Sequence, residues 1–323
     1  MQKQRIYYVD ICKIITIFIV AYGHVAQAIT SQNVPDIHFF TGPISFHMPL
    51  FMFMSGFFVN LNKIRDTNLK ETALSKFKHL LVPAFIWYII KCILTMHLPH
   101  LNEAFTSYWF LTSLFLCYLC AAISIKLIKN IYAAFLISYL FILILPYTNF
   151  VNLNFMYPFF WFGYIYRSFN IKFSYLKFLF IGFLFSILQC YWKFDYSVYA
   201  CPINFLSNKI PIYTMVLIAV FRLCIGLIGS VLFIMLFEKL EDYLFQNKYF
   251  LLLARYGKYT LGIYVIHLVL IDLLRNVLNL LQVSFMPLEF VSFFSTVLIM
   301  FLCLIIISFI NKKSFFKRVL LGD

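Results

Sequence analysis

The chain has 323 residues, 63% of them apolar and 12% charged, with a formal net charge of +14 and a mean hydropathy of +0.89. Soluble domains carry about 25% charged residues, so this composition excludes an ordinary soluble fold and points to a multi-pass membrane protein. The positive charge lies in short loops between apolar runs, which is the pattern that orients membrane spans and not the mark of a nucleic-acid binder.

The apolar runs predict an all-α helix bundle with ten spans, at about 7–29, 44–61, 79–97, 108–127, 131–146, 152–168, 174–192, 211–237, 259–280 and 288–310. The longest polar stretches, Asn62 to His79 and Glu238 to Tyr259, are too short for a separate core, so residues 1–323 read as one membrane domain. With the N-terminus inside, 21 of the 26 lysines and arginines fall on the inner side. That asymmetry predicts an even number of spans and cytoplasmic N- and C-termini.

The first span contains VDICKIITIFIVAYGH, an apolar helix that keeps Asp10, Lys13 and His24. At about 100° per residue, the step from Lys13 to His24 closes three turns to within about 20°, and Asp10 lies one turn before Lys13 on the same stripe. Lys13 can snorkel to the inner headgroups or pair with Asp10. His24 lies about 16 Å further along, past mid-membrane, where ionisable groups cost roughly 2.5–3.5 kcal/mol and are functional candidates. A cleaved signal peptide ending at Ala26-Gln27-Ala28 is a rival reading, opposed by Lys13 and His24 inside its apolar core.

The second span, ISFHMPLFMFMSGFF, carries His47 near its outer end. Pro49 lacks a backbone donor and clashes with the Ser45 carbonyl, so the helix is expected to bend or open there. Ser55 and Gly56 permit close helix approach. Cys117 and Cys120 form a CxxC on a continuous apolar helix with no second pair, which reads as membrane packing. Cys190 and Cys201 flank one outer loop, where a disulfide is an open alternative. A third histidine, His267, ends GKYTLGIYVIHL about 12 Å into its span, so it and His24 are expected to meet from opposite-running helices, with His47 above. His38, His97 and His100 fall in or near outer loops.

These stretches carry a resemblance. Asp10-x-x-Lys13 followed by ten residues and His24, FHMPLFMFMSGFF, KFKHLLVP (Lys76 to Pro83), YWFLTSLF (Tyr108 to Phe115), YPFFWFGYIYR (Tyr157 to Arg167) and GKYTLGIYVIH resemble, in order, the motifs of the acyltransferase-3 family of integral-membrane acyltransferases. The branch they are most similar to is that of sugar O-acetylases like fucose 4-O-acetylase, and the match is strongest over residues 5–268. Lys13 stands where much of the family has Arg, and a point-charge amine cannot make the bidentate fork of guanidinium. His79 also stands where Arg is expected, leaving Lys76 and Lys78 beside it.

The resemblance implies transfer of an acetyl or other short acyl group from cytoplasmic acyl-CoA to a hydroxyl of a cell-surface or lipid-linked sugar. It implies a multi-pass protein of the bacterial cytoplasmic membrane, in contact with lipid, with acetyl-CoA as co-substrate and no bound cofactor or metal. His24 takes the role of general base, with Asp10, Lys13, His47 and His267 in supporting or substrate-binding roles. Lys76, Lys78 and Lys258 are candidate contacts for CoA phosphates, and Tyr108, Trp109 and Tyr157 candidate stacking surfaces for a sugar. The alternatives are a transporter or a lipid or glycan flippase using the intramembrane polar stripe, and a metal site on His24, His47 and His267.

Overall fold

The computed structural model describes residues 6–30, 42–144, 151–169, 174–201, 203, 211–280 and 287–322. Lys3, Arg5, His38, Lys172 and Lys209 lie outside the described residues. Every regular element among the described residues is helical.

The principal helices are α1 (Tyr7–Thr30), α2 (His47–Phe57), α3 (Leu69–Leu94), α4 (Trp109–Leu127), α5 (Ile131–Ile144) and α6 (Leu153–Ser168), followed by α7 (Tyr175–Tyr191), α8 (Ile212–Lys239), α9 (Lys248–Tyr256), α10 (Thr260–Leu280), α11 (Leu288–Ile310) and the short α12 (Ser314–Leu321). A 3₁₀ turn, Gly257–Tyr259, joins α9 to α10, so the two run as one span, Lys248–Leu280. Six of the described helices are long and apolar enough to cross a bilayer: α1, α3, α4, α8, the α9–α10 pair and α11. The other elements at expected spans are shorter: α5, α7, the 16-residue α6 and the 11-residue α2.

Several helix starts follow local rules. Asn60, Asn68, Ser174 and Asn247 each accept a backbone N–H of the first turn that follows them. Arg65 donates to the Ile125 carbonyl at 3.2 Å and to Lys129, closing the C-terminal end of α4. Pro83 cannot bond the carbonyl of His79, and the turn there widens into a π-helix over Phe77–Leu81. The freed His79 carbonyl lies against Gly322, whose φ of +73° and missing Cβ permit the contact. The His79 ring bonds the Gly322 carbonyl in return, and Trp87 donates to Leu320 O at 2.9 Å. The C-terminal helix is thereby docked on α3, giving His79 a structural partner that its sequence neighbours do not reveal.

The first helix is the hub. In its most apolar stretch 72% of residues are buried inside the protein, against 28% for α11. It packs on α2, α8, α9, α10 and α11. Gly257 fits beneath the backbone of Asp10, so the N-terminal end of α1 and the start of α10 share one end of the bundle. Phe57 and Phe58, which end α2, lie at that end too, with the Lys13 ammonium 4.4 Å over the Phe58 ring. The closest helix pair is α2 with α6. Gly56 sits on the main chain of Phe160, and Gly163 on the main chain of Phe53, as the Ser55–Gly56 pair led us to expect. Arg167 completes the joint by donating to the Phe57 carbonyl at 3.0 Å.

Candidate active site

The interruption expected from Pro49 falls at Ser45–Phe46, which form a turn just before α2. The Pro43 carbonyl then accepts both the Phe46 amide and the His47 ring, whose Nδ1 lies 3.0 Å away. A carbonyl only accepts, so Nδ1 carries the proton and Nε2 is the acceptor nitrogen of the neutral ring. The opened turn thus sets the tautomer of His47.

His47 is one wall of a cavity of about 440 Å³ at the end of the bundle away from Asp10. Val20, Gly23, His24 and Gln27 supply a second wall; their spacing of three and four residues puts them on one face of α1. The flanking residues Tyr22, Gly23, Val25 and Ala26 are buried, yet His24 itself is exposed, because its ring faces the cavity. Trp109, at the start of α4, and Tyr264 of α10 close the sides. A loop running from Phe194 to Ala200 forms the roof and brings in Asp195 and Tyr199.

His267 stands behind His24. The two ring centroids are 5.5 Å apart, with the planes tilted by 41°, so the meeting of opposite-running helices expected from depth arithmetic is present. His267 is 0% exposed, and its Nδ1 donates to the Ile263 carbonyl at 2.9 Å. Its Nε2 is therefore the acceptor, and it is buried with no hydrogen-bond partner among the described residues. A lone pair held beside an imidazole in this way can receive that imidazole's N–H and fix which nitrogen faces the cavity. Further out, Asp272 bonds Lys91 at 2.8 Å and Arg275 at 2.6 Å, an ion cluster tying α10 to α3 within electrostatic reach of His24.

Toward the other end lies a second cavity of about 230 Å³, walled by Lys13, Ser55, Phe58, Tyr118 and Thr260. Lys13 bonds Asp10 at 3.4 Å and still reaches this cavity. Asp10 therefore acts on Lys13 and not on His24, which stands about 21 Å along the helix. Lys76 packs at 3.9 Å over the ring of Tyr118, a wall of this cavity; neither it nor Lys78, two residues on and exposed, lines the cavity itself. Lys258 is also exposed, 4.6 Å over Tyr259. Tyr264 lines both cavities and is the partition between them.

Of the three aromatic candidates, Trp109 alone lines the His24 cavity. The buried Tyr108 hydroxyl donates to Val265 O at 3.0 Å, and Tyr157 pairs with Ser138 at 2.7 Å. Cys190 and Cys201 are both free thiols. Among the described residues no group of three His, Cys, Asp or Glu side chains is placed to hold a metal ion. Asp195, Gln27 and Tyr264 were not singled out from the sequence. Gln27 was within reach of that reading, lying one turn beyond His24 on the same stripe.

Comparison with characterised proteins and with solved structures returned no match. A family model described as an acyltransferase domain matches residues 6–310. That range takes in both cavities and their walls, and the apolar helices that carry them: the chain belongs to the acyltransferase-3 family and is a multi-pass membrane acyltransferase.

Proposed function

We propose that the protein is a membrane O-acyltransferase that takes an acetyl or other short acyl group from cytoplasmic acyl-CoA. The acceptor is a hydroxyl of a cell-surface or lipid-linked sugar, and His24 is the general base. The observation that carries this reading is the placement of His24: its ring opens into an aromatic-walled cavity that also holds His47, Gln27 and Asp195, while the next cavity along the same helix face holds Lys13. An acyl-CoA would set phosphate near Lys13 and Lys76 and lay its pantetheine arm along α1 toward the histidine. Lys78 and Lys258 would contribute only general positive potential. About ten spans in all, both termini in the cytoplasm and a bacterial cell membrane belong to the same reading.

In this mechanism the acceptor hydroxyl donates its hydrogen to His24. As its oxygen attacks the thioester carbonyl, the proton passes to the imidazole, the C–S bond breaks and CoA leaves as the thiol with the proton returned. His267 is a positioning residue: its acceptor Nε2, buried without a hydrogen-bond partner among the described residues, would receive the N–H on the far side of His24 and leave the cavity-facing nitrogen basic. His47, with Nδ1 already committed to Pro43, offers Nε2 to the acceptor. A flippase or transporter would also use a cavity at each end, but the family match favours acyl transfer.

The test is label transfer. Membranes containing the protein, given acetyl-labelled acetyl-CoA, should place label on a surface glycan, and deletion of the protein should remove it. Label that never leaves CoA would sink the reading. The partition makes a second prediction. Tyr264→Ala joins the two cavities and admits water, so acetyl-CoA hydrolysis without acceptor should rise by about tenfold while transfer falls; Tyr264→Phe keeps the wall and should resemble wild type. Free thiol released in the absence of acceptor measures both, and equal release from all three proteins would remove Tyr264 from the account.

A further inference from the structure

The roof of the His24 cavity is held by a residue the mechanism does not use. Arg222, in the middle of α8, is 2% exposed, and its guanidinium makes no ion pair among the described residues. It donates instead to three backbone carbonyls of one loop: to Tyr196 O, to Ser197 O at 2.7 Å and to Cys201 O at 2.6 Å. A buried cation at this depth is costly unless its donors are met. Here the planar fork of arginine is matched by a turn of main chain, whose Phe194 and Tyr196 rings also pack on the Tyr22 cluster and on Phe221. The loop so gathered begins with the 3₁₀ turn Phe194–Tyr196 and places Asp195 and Tyr199 over His24.

Among the described residues Asp195 is the only carboxylate lining this cavity, and no lysine or arginine lines it. The Asp195 side chain is exposed and makes no hydrogen bond or ion pair among the described residues, so its acceptor oxygens are available to a ligand. Trp109 and Tyr199, with ring centroids 6.4 Å apart and nearly perpendicular, add apolar faces beside it. Aromatic faces with one carboxylate and neutral imidazoles suit a molecule rich in hydroxyl or amino donors. They repel one bearing its own carboxylate or phosphate at this position.

We propose that the Phe194–Cys201 loop is the acceptor-selecting element, that Asp195 reads the acceptor as a neutral or amino sugar and rejects acidic sugars, and that Arg222 is the positioning residue that fixes the loop. This deepens the acyl-transfer reading and rests on it.

The test uses the full-length protein in lipid nanodiscs with acetyl-CoA and the methyl glycosides of glucose, glucosamine and glucuronic acid. Wild type should favour the first two over the uronide by about tenfold or more in kcat/KM. Asp195→Lys should reverse that order. Asp195 is exposed, so this variant is expected to fold. Arg222→Gln should raise KM for the glycoside by about tenfold with KM for acetyl-CoA unchanged, and Arg222→Lys should restore part of the loss. The proposal is overturned by a wild-type preference for the uronide, by an order that Asp195→Lys leaves unchanged, or by an Arg222→Gln effect shared equally between the two substrates. It is overturned too if no glycoside accepts label from a protein that still labels native membrane glycans. Failure to label native glycans is the different result that removes the acyl-transfer reading itself.

Discussion

Replacing His24 with alanine should lower acyl transfer by about 10²–10⁴ while the protein still inserts and melts as wild type does. The first half of that result follows from the chemistry: a sugar hydroxyl is a weak nucleophile near neutral pH, and a positioned base is worth roughly that factor. The second half follows from burial. His24 faces open cavity and its partner Gln27 lines that cavity too, so removing its ring leaves no sealed void, whereas the same change at the fully buried His267 would leave one. The pair therefore separates chemistry from structure. His24→Ala should affect kcat alone, and His267→Ala both kcat and the melting temperature. Steady-state transfer rates beside thermal unfolding in the same nanodiscs check this. A His24→Ala protein within a few-fold of wild type would take the base away from this residue, and an unfolded one would mean the ring has a packing role that its exposure does not suggest.

What the sequence disclosed about this site was what a single helix or simple depth arithmetic can carry. The stripe of Asp10, Lys13 and His24 is a matter of 100° per residue, and all three emerge on one side of α1, at the two cavities or bonded to them. The meeting of His24 with His267 needed only the rise per residue and opposite directions. Pro49 announced an opening, and the opening sits at Ser45–Phe46. Other parts depend on chain segments far apart, for which local pattern has no signal. The Arg222 clamp closes on a loop some twenty residues away, Lys91 finds Asp272 across the bundle, and Tyr264 becomes a partition only because two cavities end on it. Lys76 and Lys78 illustrate the same limit at short range. Two residues apart on a helix they point to different faces, and the π turn that starts at Phe77 leaves only Lys76 beside Tyr118.

The most damaging substitutions should lie away from the chemistry, in the joint between α2 and α6. A Cβ at Gly56 would fall inside the carbonyl of Phe160, and one at Gly163 inside the carbonyl of Phe53. Both obstacles are main chain, so no rotamer change relieves them; the helices must separate. Small residues that let backbones touch are what hold membrane helices together where lipid offers no hydrophobic drive. Separation would forfeit that packing along the whole joint, including the Arg167 bond to Phe57. Either alanine variant should exceed the roughly 1–3 kcal/mol usual for overpacking and lower the melting temperature sharply. Gly182→Ala provides the control, since its added carbon would meet only a leucine methyl, of Leu232, at an ordinary 3.7 Å. The double variant Gly56→Ala/Gly163→Ala should cost less than the sum of the singles, because one displacement relieves both clashes. The consequence reaches the site through α2 itself: its N-terminal turn carries His47 into the His24 cavity, and its C-terminal half gives Ser55 to the Lys13 cavity. Acyl transfer should therefore fall with stability in these variants, and a Gly163→Ala protein that melts like Gly182→Ala would show that the two backbones are not in contact.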